Sequence, residues 1–308
     1  MAILGAVPPA KRLEVSIDDR RLSLSNLDKL LYPQAGFTKG HVIDYYTRIA
    51  PVLLPHLRDR PLTLKRYPDG VEKGHFYEKR CPSHRPEWVR IAPVWSGRKE
   101  GDINYCVADD LATLVWLANL ADLEMHTPLH RVPDTETPTL IAFDLDPGPP
   151  AMIVECARVA LELREAFDHL GLETFPKTSG SKGMQVYLPL NTPGVTFDDT
   201  KTFAMHLAQL LERRDRELVV SEMAKVKRPG KVFVDWSQND RHKTTVNVYS
   251  LRAMENPTVS TPLSWDEVAG IADSGEPVAF TAPEVLARVE KLGDLFSPVQ
   301  TLEQELPR

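Results

Sequence analysis

Ile141-Ala142-Phe143-Asp144-Leu145-Asp146-Pro147-Gly148 is the stretch from which the rest of this 308-residue chain is best read. Thr139–Asp144 has the composition of a buried strand, and Pro147-Gly148-Pro149-Pro150 that of a turn. Side chains alternate along a strand, so Asp144 and Asp146 project from one face while Leu145 points into a core. Two carboxylates that close repel each other unless a cation lies between them. A hard divalent metal, which prefers oxygen ligands, fits such a place. The plainer alternative is a strand end with two solvated aspartates.

Working outward, a second acid stands in the same context. Lys231–Asp235 reads as a strand ending in Asp235, followed by Trp236-Ser237-Gln238-Asn239. If it lies beside the first strand, three carboxylates converge and can hold two ions of the kind that support in-line phosphoryl transfer. Between the two acidic segments comes Thr178-Ser179-Gly180-Ser181-Lys182-Gly183, whose glycines permit close backbone approach and whose hydroxyls and lysine suit phosphate oxygens. It is not a Walker A sequence.

The flanking segments give the fold. After Pro150 a helix carries Ala160, Leu163, Phe167 and Leu170 on one stripe. Strands at Glu173–Lys177 and Met184–Leu190 bracket the glycine-serine-lysine turn. A helix from about Phe197 to Arg213 is capped by Asp198 or Asp199, and Thr245–Tyr249 is a further strand candidate. The order β-α-β-β-α-β is that of an RNA-recognition-like or ferredoxin-like unit. In the first half, residues 13–17 and 20–24 form a hairpin around Asp18-Asp19. Thr38 caps a helix with Val42, Tyr45, Tyr46 and Ile49 on one face, which Pro51 and Pro55 then end. Strands are expected at Leu62–Tyr67, His75–Lys79 and Ile103–Val107, and a helix near Leu111–Ala121. The Thr/Pro-rich residues 127–138 form a loop at the seam of two lobes.

Composition is that of a globular protein, with 42% hydrophobic and 26% charged residues. Met1–Ala10 lacks the basic flank and long apolar run of a signal peptide, and no stretch reaches the roughly 20 apolar residues of a membrane span. Cys81, Cys106 and Cys156 are too few and too scattered for a disulfide framework, which suits a reducing cytoplasm. Net charge is −6, yet its distribution is uneven. Residues 11–80 hold 14 Lys/Arg against 9 Asp/Glu, and 213–252 hold 10 against 5. Residues 255–308 reverse this with 3 against 10. Two basic stretches permit a phosphate track without requiring one.

These segments also resemble a known family. Phe143–Gly148, Ser179–Gly183 and Val234–Asn239 look like the three catalytic motifs of the polymerase domain of bacterial ligase D, in the archaeo-eukaryotic primase superfamily. Leu24–Lys29 with Tyr32-Pro33, Arg60–Gly70, His75–Lys79 and Tyr249–Ala253 resemble its other signatures, so the likeness runs from about Leu13 to Leu292. It implies an α+β, primase-like fold of two mixed β-sheet lobes flanked by helices, with an RNA-recognition-like catalytic core. By extent, 1–12 is a flexible N-terminus, 13–138 a DNA-end-binding lobe, 139–292 a catalytic lobe and 293–308 an acidic tail.

The resemblance further implies residue roles. Asp144, Asp146 and Asp235 hold two Mg²⁺ or Mn²⁺ ions. Lys65, Ser179, Gly180, Ser181, Lys182, Gly183, Gln185, Gln238 and Arg252 contact the nucleotide. Asn26, Lys29 and Lys39 hold the 5′-phosphate of a gap or recessed end, and Phe76 and Tyr77 stack on the template. Arg228, in the basic run Lys225–Arg228, lies near the primer or incoming nucleotide. Gln185 departs from the family, which usually has His there. Gln cannot become a cation near neutral pH, so a weaker or altered grip on the β/γ-phosphates is expected. The activity implied is template-directed addition of nucleoside monophosphates from NTP or dNTP to a primer 3′-OH. Gap filling or non-homologous end joining is its setting, with a preference for ribonucleotides and Mn²⁺, in the bacterial cytoplasm at the nucleoid. No ligase or nuclease segment accompanies these motifs, so the protein is expected either to act alone or to recruit a separate ligase and end-binding proteins.

Two rival functions were weighed. A haloacid dehalogenase-type phosphatase also begins with a strand-end DxD, but near its N-terminus and followed by Gly-Thr or Gly-Val. A catalytically silent DNA-end binder would have no use for three aspartates. Cys81-Pro-Ser-His84 has metal-like spacing without a second ligand pair, and Glu124 and His126 are candidates for the neighbourhood of the site.

Overall fold

The computed structural model describes residues 12–97 and 99–307; apart from Arg12, the expected flexible N-terminus lies outside them. The chain forms β1 (Arg12–Ile17), β2 (Arg20–Ser25), β3 (Leu30–Tyr32), β4 (Phe37–Thr38), α1 (Lys39–Leu57), β5 (Thr63–Arg66), β6 (Phe76–Glu78), β7 (Ile91–Ser96), β8 (Gly101–Cys106), α2 (Leu111–Asn119) and β9 (Asp122–Thr127). It continues with β10 (Leu140–Pro147), α3 (Ile153–His169), β11 (Phe175–Thr178), β12 (Met184–Pro189), α4 (Phe197–Arg214), β13 (Val219–Val220), β14 (Val232–Asp235), β15 (Thr245–Val246), α5 (Trp265–Ser274) and α6 (Ala282–Leu292).

The sheet that carries Asp144, Asp146 and Asp235 is five-stranded, in the order β11-β12-β10-β14-β13. Its four antiparallel strands follow the ferredoxin-like plan, and β13 adds a parallel edge strand to β14. Alternation along β10 sorts its side chains. Ile141, Phe143 and Leu145 are fully buried in the core beneath α3 and α4, whereas Ala142 joins a second core on the opposite face. Asp144 and Asp146 follow Ala142 in phase and so face the cleft.

The second sheet, β15-β9-β5-β6, is antiparallel throughout. Its core takes in α1, α2, the β1–β2 hairpin and also Tyr249, Leu251, Val259, Val285, Phe296 and Val299. This second core therefore draws on both ends of the chain. Within 293–308, expected as an acidic tail, Phe296 and Val299 are buried and Asp294 accepts hydrogen bonds from Tyr249 Oη (2.7 Å) and the Phe296 amide.

Three expectations need correction. Helix α1 does not stop at Pro51 but runs through it and Pro55 to Leu57. Pro51 lies on the exposed face, so the Thr47 carbonyl that loses its amide partner can be solvated. The cap of α4 is Thr196, whose hydroxyl accepts from the Asp199 amide while Asp199 returns a bond to the Thr196 amide. Cys81 and Cys106 are joined in a disulfide. The segment after β6 runs beside β8, with the Cys81 amide on the Asn104 carbonyl (2.7 Å), which brings residues 25 apart in sequence together. Cys156 is buried and free.

Candidate active site

Strand register assembles the carboxylates. Asp144 on β10 lies directly opposite Asp235 on β14, and on its other flank opposite Gln185 on β12. Cross-strand partners project to the same face. Asp146 follows two residues on and shares that face. Burial, then Asp146 and Asp235, push the Asp144 carboxyl up to about 7, while Gln185 and Lys177 counter them. Burial and Asp235 likewise raise Asp146, with Arg228 and Arg252 opposing.

Among the described residues, no three His, Cys, Asp or Glu side chains are drawn together tightly enough to cage an ion. The Asp235 carboxylate is turned toward the 3-10 turn Trp236–Gln238, accepting from the Ser237 amide (3.0 Å), the Ser237 hydroxyl (2.5 Å) and Gln238 Nε2 (3.4 Å). The donor set nevertheless suits a hard divalent cation. It is all carboxylate oxygen, and burial together with the neighbouring carboxylates raises the proton affinity of Asp144 and Asp146.

The glycine-serine-lysine turn lies against the carboxylate strand. A Cβ at Gly183 would collide with the Leu145 carbonyl, so only glycine lets β12 start this close to the DxD pair. Gly148 does the same for the 228 loop, where a Cβ would strike the Arg228 carbonyl. Ser179 Oγ closes the turn by accepting from the amides of Ser181 (3.2 Å) and Gly183 (3.1 Å). Arg252 Nη1 donates to the Ser179 carbonyl (2.5 Å), and Thr258 Oγ1 to that of Gly180 (2.6 Å). A cleft of about 230 Å³ results, lined by Asp144, Asp146, Ser179, Ser181, Lys182, Gly183, Gln185, Gln238 and Arg252 among others.

Gln185 is not free to reach outward. It is buried, its Oε1 accepts from Lys177 Nζ (2.6 Å), and its Nε2 donates to Thr245 Oγ1 (2.8 Å). Lys177 was not foreseen as part of the site. It is fully buried, also donates to Ser260 Oγ (2.6 Å), and is lowered to about 7 by burial against the pull of Asp144. A lysine in the short apolar run Phe175-Pro176-Lys177, next to the glycine-serine turn, was the available signal. His126 lines the cleft, and Glu124 lies behind it, joined to His126 and Arg252. Glu124 is 2% exposed and joins Lys65 Nζ (3.0 Å), His126 Nε2 (3.1 Å), Tyr67 Oη (3.3 Å), the Ala253 amide (3.1 Å) and Arg252 Nε (3.3 Å).

The other expected residues lie around this centre. Phe76 and Tyr77, 44% and 59% exposed, sit on the edge strand β6. As consecutive strand residues they project to opposite faces; Arg66 covers Phe76, and Lys65 lies over Tyr77. Asn26 and Lys29 line an open pocket of about 630 Å³ with Arg12, Leu13, Leu27 and Asp28. Lys29 pairs with Asp69 (2.7 Å). Lys39 lies behind that pocket, buried, donating to the Ser25 carbonyl (2.7 Å), with burial and then Lys29 lowering it to about 8. Arg228 stacks over Phe233 and donates to the Met223 carbonyl (2.8 Å).

A ferredoxin-like sheet with acids on its first and fourth strands, and a glycine-serine-lysine turn between its second and third, defines a nucleotidyltransferase of the primase–polymerase class. The profile of the LigD primase–polymerase domain matches residues 38–296, and the chain belongs to that family. It is 41% identical over 281 residues to the multifunctional non-homologous end joining protein LigD of Mycolicibacterium smegmatis, covering 91% of this chain and 36% of that protein. It is 32% identical to the bifunctional LigD of Bacillus subtilis, covering 93% and 45%. The chain thus spans less than half the length of these relatives. The solved polymerase domain of Mycobacterium tuberculosis ligase D, in complex with DNA, superimposes with a TM-score of 0.85 at 40% identity, covering 92% of this chain and 99% of that one. No helix among the described residues is long and apolar enough to cross a membrane.

Proposed function

We propose that this chain adds nucleoside monophosphates from NTP or dNTP to a primer 3′-hydroxyl, at gaps or recessed ends that carry a 5′-phosphate. The observation that carries this is the cross-strand pairing of Asp144 with Asp235 beside a turn whose Gly183 touches β10. Divalent metal, Mg²⁺ or Mn²⁺, held by Asp144, Asp146 and Asp235 when bound, supplies acidification of the hydroxyl and neutralisation of the triphosphate. The chain's own groups do the rest. The backbone amides of Gly180 and Lys182, with the Lys182 and Arg252 side chains, take the triphosphate oxygens. Gln185 and Lys177 support the floor beneath Asp144. Asn26, Lys29 and Lys39 bind the 5′-phosphate, Phe76 and Tyr77 stack against the template, and Arg228 lies near the primer or incoming nucleotide.

The relatives' names place them in non-homologous end joining, and we assign this chain to the same setting, with end-binding and ligase activities on other polypeptides or domains. A phosphatase of the DxD class is not favoured, because β10 is flanked on both sides by antiparallel strands. The test is primer extension on gapped duplexes with and without a 5′-phosphate, across NTP, dNTP, Mg²⁺ and Mn²⁺. Metal-dependent extension, stronger on the phosphorylated gap by about tenfold, is expected. Release of phosphate from small phosphomonoesters without any extension would contradict it.

A further inference from the structure

A second cavity, of about 360 Å³, opens beside the cleft and shares Thr244 with it. Its walls are the β7–β8 hairpin, the segment Pro128–His130 and the loop Arg241–Thr244. The rim is cationic, with Lys79, Arg241 and Lys243 beside His242; Arg241 is held by Glu136 (2.6 Å) and Lys243 by the Ser237 hydroxyl. Trp95, 55% exposed, and Tyr105 supply aromatic surface.

The lining is unusual at His130. It is 3% exposed, yet neither ring nitrogen has a hydrogen-bond partner. Buried polar atoms are nearly always paired, so two orphans on one ring point to a missing ligand. Burial, then Arg60 and Arg241, hold the imidazole down to about 4. The ring is therefore neutral near pH 7 and offers one donor and one acceptor. A nucleobase edge carries both donors and acceptors and so can meet one of these ring nitrogens, its flat face stacks on an exposed indole, and its phosphate is matched by the rim cations.

The cavity also has a defined place along the strand-binding surface. Phe76 lies opposite Arg66, at the end of β6 near Asp69 and the Asn26/Lys29 pocket; Lys79 leaves the other end and lines this cavity. We propose that the cavity takes an unpaired nucleobase of the bound nucleic-acid strand, on the side of Tyr77 away from the 5′-phosphate pocket. This rests on the polymerase function proposed above.

The test uses two primer–template duplexes, one fully paired and one with a single extra template nucleotide, 2-aminopurine, near the primer end. Wild-type protein is expected to bind both and to quench the 2-aminopurine. Trp95→Ala should lose the quenching and about fivefold or more in affinity for the bulged duplex, with the paired duplex unaffected. His130→Leu should do the same; Trp95, on the surface, keeps the test valid if that variant fails to fold. Unchanged quenching and affinity in Trp95→Ala, or equal losses on both duplexes, would overturn the proposal. Wild-type binding without quenching overturns the cavity alone, whereas a wild type that binds neither duplex overturns the polymerase function with it.

Discussion

Glu124 shows how much of this site rests on single side chains. Although burial opposes its charge, His126, Arg252 and Lys65 hold its carboxyl below the usual range. Its negative charge holds Lys65 and Arg252, of which Arg252 lines the cleft. Glu124→Gln keeps the shape and removes the charge, leaving Lys65 and Arg252 uncompensated in a largely buried place. Loss of one partner from a buried pair costs about 3 kcal/mol or more of stability. We expect a matching fall in the denaturation midpoint and a nucleotide KM raised about tenfold, with kcat changed less. An unaltered KM would show that Glu124 serves folding alone. Asp144 gives a second prediction at this scale. Its carboxyl is raised above the ordinary value, so its contribution is fully present below the unfolded pKa near 4 and is lost as pH rises through about 7. Metal-free protein should therefore lose thermal stability over that window, and Mn²⁺ should restore more at pH 8 than at pH 5.5. Calorimetry with and without chelator measures this; an equal metal effect at both pH values contradicts it.

At the scale of elements, the turn between β11 and β12 is the part least able to change. Gly183→Ala forces the turn off the Leu145 carbonyl and moves Ser179 and Lys182 relative to Asp144. A displacement near 1 Å at such a place costs about 100-fold in rate; kcat/KM should fall on that order while the protein stays folded. Wild-type rates would show that the turn does not carry the triphosphate. The sequence made most elements visible wherever one periodicity dominated, as in the β1–β2 hairpin and in α3. It hid those decided by tertiary contact. β7, β9 and α5 escaped notice, α1 continues through its two prolines because its exposed face can solvate the lost bond, and the cap of α4 depends on a threonine one residue before the expected start.

Across the whole molecule, two cores share the chain without dividing it at one point. The segments around Val259, Val285 and Phe296 return to pack beneath α1 and α2, a long-range association that no local pattern records. Of the site, the three aspartates and the turn were legible because strand alternation and glycine carry local meaning. Lys177 and the engaged state of Gln185 were not, since they depend on Thr245 and Ser260 arriving from distant sequence. The measurement that bears most directly on the meeting of three distant acids is single-turnover primer extension by Asp235→Asn beside Asp144→Asn and Asp146→Asn. All three are expected to lose at least about 100-fold in rate, the size seen when one charge-stabilising group is removed, while retaining wild-type DNA affinity. An Asp235→Asn protein extending as fast as wild type would show that the fourth strand of the sheet brings no ligand to the reaction.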